Sequence, residues 1–185
     1  MHLKDFNIDK SWTLFLDRDG VINKRIIDAY VLKWDDFIFL PKVLDAIKIF
    51  SGIFGKIIIV TNQQGIGKGL MSEVELNNIH QNMILEIENH GGRIDAVYFA
   101  PQIRETNHFD RKPNVGMALK AHKLFPEINF KKSIMAGDSI SDMEFGHRLD
   151  MTNVFICNDV QLISKHHDII QFSASDLFGF SEQLK

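Results

Sequence analysis

Trp12-Thr13-Leu14-Phe15-Leu16-Asp17-Arg18-Asp19-Gly20 decides the fold: a short apolar and β-branched run ends directly in two acids and a glycine. Runs of this length and composition suit a strand buried on both faces. Moving outward, the same pattern recurs at Lys56-Ile57-Ile58-Ile59-Val60, Ala96-Val97-Tyr98-Phe99-Ala100, Ser133-Ile134-Met135-Ala136 and Val154-Phe155-Ile156-Cys157. Helical patterns lie between these runs. Ser72-Glu73-Val74-Glu75 is a capping box, followed by Leu76, Ile79, Met83 and Ile87 on one face, and that helix should end near His90. Asn114 is read as the cap of a helix carrying Met117, Ala121 and Leu124 and stopping at Phe125-Pro126. Leu40-Pro41 starts a helix with Val43, Leu44, Ile47 and Phe50, and Ser139-Ile140-Ser141-Asp142 starts another. Alternating strands and helices imply parallel pairing through right-handed crossovers. The expected fold is therefore α/β, a three-layer α/β/α Rossmann-like arrangement around a parallel central sheet. Its ligand site should lie beyond the carboxyl ends of the strands.

Composition bounds the rest. A chain of 185 residues suits one domain, taken as 1–185. Hydrophobic residues at 45% and charged residues at 24% exclude a disordered or coiled-coil chain. The longest apolar runs are strand-sized, so no membrane association is expected. The first residues lack the apolar core of a secretory signal, which makes a cytoplasmic location the expectation. A single cysteine, Cys157, excludes an internal disulfide. A net charge of −3 offers no general attraction for phosphate backbones, so nucleic acid is disfavoured as a partner and a small phosphorylated molecule preferred. The chain is taken as a monomer.

The residues after the strands are Asp17-Arg18-Asp19-Gly20, Thr61-Asn62-Gln63-Gln64-Gly65, Arg111-Lys112-Pro113 and Gly137-Asp138-Ser139-Ile140-Ser141-Asp142. Asp17 and Asp19 are two residues apart, so on extended backbone their carboxylates point the same way, a costly pairing unless a cation compensates it. Asp138 supplies a third oxygen ligand, and an all-oxygen set suits magnesium. Each cluster alone is a common loop element; their order and placement carry the meaning.

Those clusters, in that order, resemble the haloacid dehalogenase superfamily of phosphohydrolases. Asp17-Arg18-Asp19-Gly20-Val21-Ile22-Asn23, Thr61-Asn62-Gln63-Gln64-Gly65-Ile66 and Arg111-Lys112-Pro113-Asn114-Val115-Gly116-Met117 are similar to the branch containing heptose bisphosphate and histidinol-phosphate phosphatases. The resemblance implies a magnesium-dependent phosphatase acting on a phosphorylated sugar or similar metabolite. In it Asp17 is the nucleophile and Asp19 the general acid and base. Thr61 and Lys112 hold the phosphoryl group. The metal is bound by Asp17, Asp138 and the backbone carbonyl of Asp19, and Asp142 orients its shell. Asn62 and Arg111 are the candidates for gripping the rest of the substrate. The alternatives are a polynucleotide 3′-phosphatase, whose phosphatase domains share the Thr61 and Arg111-Lys112-Pro113 elements, and a non-catalytic binding module on the same fold.

The resembled branch commonly carries a zinc loop before Arg-Lys-Pro. Here the matching positions are Ala100, Gln102, His108 and Asp110, so no structural zinc is expected. His108 with Asp110, and His166 with His167, are read as surface residues. The 101–110 loop should shape the entrance, with no large cap domain above it. Gly65-Ile66-Gly67-Lys68-Gly69 fails as a nucleotide P-loop, because Asn62 stands where the first glycine belongs and Gly69 replaces the Ser or Thr. It is expected to be a mobile loop over the site.

Overall fold

The computed structural model describes residues 2–27 and 29–185. Six strands form one sheet: β1 (Thr13–Leu16), β2 (Lys56–Asn62), β3 (Ala96–Ala100), β4 (Ser133–Gly137), β5 (Thr152–Ile156) and β6 (Phe172–Ala174). All pairings are parallel, in the order β3-β2-β1-β4-β5-β6. The chain winds outward from β1 in one direction through β2 and β3, then returns to β1's other edge for β4. That reversal opens a crevice at the carboxyl ends of β1 and β4, where ligands bind in open α/β sheets.

Strand alternation explains the layers. Leu14, Leu16, Ile57, Ile59, Ile134, Ala136 and Val154 point to one face, where they meet helices α1 (Val43–Ile53), α3 (Glu73–Asn89) and α7 (Leu177–Glu182). Phe15, Ile58, Val60, Met135 and Phe155 point to the other, against α4 (Gly116–Leu124), α5 (Ile140–His147) and the flank of α6 (Val160–Lys165). Both faces are apolar because both are covered, the property that makes the central strands read as continuous hydrophobic runs. Among the described residues no helix is long and apolar enough to cross a membrane.

Several local expectations hold and several do not. Ser72 caps α3 reciprocally: Glu75 N donates to Ser72 Oγ at 3.2 Å and Ser72 N to Glu75 Oε2 at 2.6 Å. Ser139 likewise precedes α5, its amide donating to Asp142 Oδ2 at 3.0 Å. Asn114 is not a cap. Its side-chain amide donates to Asn107 and His108 in the preceding loop, and α4 starts two residues later at Gly116 without a side-chain cap. Leu124, expected on the buried stripe of α4, is 63% exposed because it closes the last turn beyond the edge of the core. The segment expected as a mobile loop contains a helical turn, α2 (Gln64–Gly67). Strand β6 was not expected; Phe172-Ser173-Ala174 is too short and mixed to show periodicity.

Candidate active site

Asp17 stands where β1 leaves the sheet. Its amide still donates to Ala136 of β4, at 3.0 Å, which carries the ladder one residue past the strand and brings Asp17 beside Asp138. Gly20 makes that approach possible. It has φ +92°, and a Cβ there would sit 1.9 Å from Asp138 Oδ2, so glycine is required twice over.

One lysine joins the strand ends. Lys112, 4% exposed, donates from Nζ to Asp17 Oδ1 at 2.8 Å and to the Val60 carbonyl at 2.7 Å. Its Nζ also lies 2.6 Å from Asp142 Oδ1, as an ion pair rather than an aligned hydrogen bond. Burial alone would lower this ammonium, but Asp142 and Asp17 outweigh it and hold the group above its usual range. Asn62 fastens the lysine from behind: Lys112 N donates to Asn62 Oδ1 at 3.0 Å, and Asn62 Nδ2 donates to the Lys112 carbonyl at 3.1 Å.

Oxygens of Asp17, Asp138 and Asp142 all lie within 4.8 Å of one another. Burial pushes Asp17 up to about 6, with Lys112 opposing and Asp142 and Asp19 adding to the rise. Asp138 goes up to about 7, first from burial and then from Asp17, with Arg25 opposing. Arg25, a half-exposed side chain, places Nη2 2.8 Å from Asp138 Oδ1 and 4.0 Å from Asp17 Oδ2. A crowded all-oxygen set whose charges resist ionisation, already attended by a borrowed guanidinium, fits a hard divalent cation such as magnesium. The carboxylate of Asp19 is not in this cluster.

Asp19 belongs to a second group. Asp19 Oδ1 accepts from Arg18 Nη2 at 2.9 Å and Asn23 Nδ2 at 2.9 Å. Asp19 Oδ2 accepts from the same Arg18 nitrogen at 3.0 Å and from Gln63 Nε2 at 2.8 Å. Burial would raise Asp19, yet the guanidinium and these hydrogen bonds hold it below the usual carboxylate range. Gln63 Nε2 also donates to Thr61 Oγ1 at 2.9 Å, leaving the threonine's hydroxyl proton for another acceptor.

The two groups face one cavity of about 340 Å³, lined by Asp17, Asp19, Thr61, Asn62, Lys112 and Arg111 among others. Every catalytic and substrate-binding residue expected from the sequence is thus on its wall. Arg111, which donates to the Gln102 carbonyl at 3.1 Å, is held below its usual range by burial and by neighbouring Arg104. Arg25 and Tyr30 complete the mouth, and the Tyr30 hydroxyl accepts from Gln64 at 2.9 Å and Lys68 at 3.0 Å. Sequence reasoning missed Gln63, Asn23, Arg25 and Tyr30. Only Gln63 carried a signal, since alternation puts it on the same side as Thr61. In the 101–110 loop His108 Nδ1 accepts from Asp110 N at 3.1 Å, and Asp110 pairs with Lys120 at 2.6 Å.

A family profile described as polynucleotide kinase 3 phosphatase matches residues 13–181. A D-glycero-α-D-manno-heptose-1,7-bisphosphate 7-phosphatase of Mycobacterium bovis is 39% identical over 138 residues, which cover 75% of this chain and 73% of that protein. A protein of the same description from Campylobacter jejuni is 35% identical over 150 residues, 81% of this chain and 84% of its own. Among solved structures, the D,D-heptose 1,7-bisphosphate phosphatase of B. bronchiseptica complexed with magnesium and phosphate superposes with a TM-score of 0.83 at 26% identity. It covers 94% of this chain and 97% of that one.

Proposed function

The chain belongs to the polynucleotide kinase 3 phosphatase family of the haloacid dehalogenase superfamily and is a phosphatase; from that premise we propose that it removes one phosphate from a sugar bisphosphate of the heptose type through an aspartyl phosphate on Asp17. The observation that carries this reading is the convergence of Asp17, Asp138 and Asp142, the first and last of them paired to one buried lysine, opposite a threonine and a separately held aspartate. Residues 1–185 are taken as one hydrolase domain.

Asp17 attacks phosphorus through a carboxylate oxygen; the new O–P bond forms as the bond to the leaving oxygen breaks, so one difficult displacement becomes two easier ones. The negative charge of a phosphate bound beside it opposes the guanidinium and favours the protonated form of Asp19, which gives its proton to that leaving oxygen and then, as a carboxylate, takes a proton from the water that cleaves the O–P bond on Asp17. Lys112 fixes the orientation of Asp17 and adds positive charge beside the transferring group. Thr61 donates its free hydroxyl proton to a phosphoryl oxygen. Asp17 and Asp138, with the backbone carbonyl of Asp19, would hold a magnesium ion, which supplies charge neutralisation between an anionic nucleophile and an anionic phosphate.

Substrate choice rests on the mouth. Arg25, Arg104 and Arg111 line it, more positive charge than the transferring phosphate needs, which suits a second anionic group on the substrate. The substrate named for those relatives is a bisphosphate. The test is phosphate release, with magnesium and with chelator, from matched sugar mono- and bisphosphates and from a 3′-phosphorylated oligonucleotide. The expected order of kcat/KM is bisphosphate, then monophosphate, then oligonucleotide. An oligonucleotide turned over faster than either sugar would replace this reading with the 3′-phosphatase one, which the family description favours.

A further inference from the structure

Arg18 is a charged side chain only 1% exposed, and the reading above leaves it without a task. A buried cation is tolerated when it is paired and hydrogen-bonded. Among the described residues its one ion-pair partner is Asp19, its own neighbour in sequence. Consecutive residues on extended backbone point to opposite sides, so this pairing is not a local default. It depends on the tight turn after β1, in which the Arg18 carbonyl accepts from the amides of Ile22 and Asn23. It also depends on something that holds the guanidinium from the far side.

That holder is His80, on the buried face of α3. Its Nε2 lies 3.1 Å from Arg18 Nη1. Arginine keeps its charge and cannot accept, so Nη1 donates and Nε2 accepts, which makes His80 the neutral Nδ1–H tautomer. Burial first, and the guanidinium second, push this imidazole down to about 3. The ring sits near Phe99, and the guanidinium carbon lies 5.9 Å from the Phe37 ring centroid. Arg18 Nη2, thus oriented, reaches both oxygens of Asp19 at 2.9 and 3.0 Å, while Gln63 ties one of them to Thr61.

We propose that Arg18 and His80 are positioning residues for proton transfer: His80 aims the guanidinium from α3, and the guanidinium sets where the Asp19 carboxyl stands when its proton passes to the leaving oxygen. The inference rests on Asp19 being the general acid. In that step the Asp19 O–H bond breaks as the leaving oxygen gains the proton and loses phosphorus to Asp17. A displaced acid is felt most by substrates whose leaving group needs the proton.

The experiment measures kcat/KM, which reports steps up to release of the first product, for p-nitrophenyl phosphate, phenyl phosphate and an alkyl phosphate in the presence of magnesium. His80→Leu is expected to lose roughly tenfold or more on the alkyl ester and less than about threefold on p-nitrophenyl phosphate, a part of what a general acid supplies. His80→Gln, whose side-chain oxygen can accept from Nη1, is expected to recover most of the alkyl-ester rate. Arg18→Lys keeps the charge, loses the two-nitrogen fork and should steepen the leaving-group dependence, which keeps the idea testable if His80→Leu does not fold. Asp19→Asn separates the two layers of argument. Equal losses on all three esters for Asp19→Asn overturn the acid reading and this inference with it. Leaving-group discrimination by Asp19→Asn, with uniform or no loss in the Arg18 and His80 variants, overturns this inference alone.

Discussion

Asp17 and Asp19 are separated by one residue and face the same cavity, yet their environments pull them in opposite directions. Asp17 is driven up to about 6 by burial, a rise that Lys112, which it shares with Asp142, opposes without cancelling. Asp19 is held down by a guanidinium of its own and by two side-chain amides. Burial is common to both; the supply of donors differs. Around Asp17 stand two further acids, Asp138 and Asp142, against Lys112 and a half-exposed Arg25, so the region is short of positive charge. Around Asp19 the charges balance. The first region has the chemistry to recruit a dication and a phosphate; the second holds one carboxyl in place.

The largest effect is expected at the nucleophile. Asp17→Asn should abolish phosphate release, by about four orders of magnitude or more, while leaving the thermal transition in place, because the amide removes charge from a region crowded with acids. Retained turnover would take the nucleophile role from Asp17. Asp19→Asn should act differently in both respects. A loss of about 10²–10⁴ in rate is expected from removing the acid, and a destabilisation of about 3–5 kcal/mol from leaving Arg18 buried without its counter-ion. Denaturant titration beside steady-state rates reads both.

Magnesium should distinguish the regions without any turnover. At a hundred times its Kd, a ligand bound only by the folded state adds about 2.7 kcal/mol. A magnesium-dependent rise in Tm is therefore expected for the unaltered protein and for His80→Gln, and its loss in Asp138→Asn. An unchanged rise in Asp138→Asn would move the cation elsewhere.

Taken per pH unit, the smallest effect belongs to His80. Its folded-state value of about 3 lies below the ordinary 6.5, so the unfolded chain binds a proton that the folded one refuses. Its contribution to stability is complete above about pH 6.5 and is lost as the pH falls toward 3, at no more than about 1.4 kcal/mol per pH unit. His80→Gln should flatten this part of the stability profile measured by urea titration. An unaltered slope would place the acid sensitivity in other groups.

Much of this site was legible because strand ends are legible. An apolar run followed by Asp17-Arg18-Asp19-Gly20, or Ala136-Gly137-Asp138, says where a strand stops and which side chains stand at its exit. The helix start at Ser72 was equally clear, since a capping box is satisfied within four residues. Asn114 shows the limit of such local signals. An asparagine beside a helix has several backbone partners within reach, and here the 107–108 loop captures it. Asn62, expected to meet substrate, holds the Lys112 backbone through both ends of its amide as well as lining the cavity. That pairing spans fifty residues of chain, beyond any local pattern.

The sequence alone determined the parallel α/β architecture and the order of the polar clusters at the strand ends, because periodicity and strand-end polarity are properties of short segments. Tertiary structure alone decided which acid is compensated and which is not. A side chain's charge environment is set by groups arriving from other elements, Lys112 from the loop before α4 and His80 from α3, and their distances do not exist until the sheet and helices have packed.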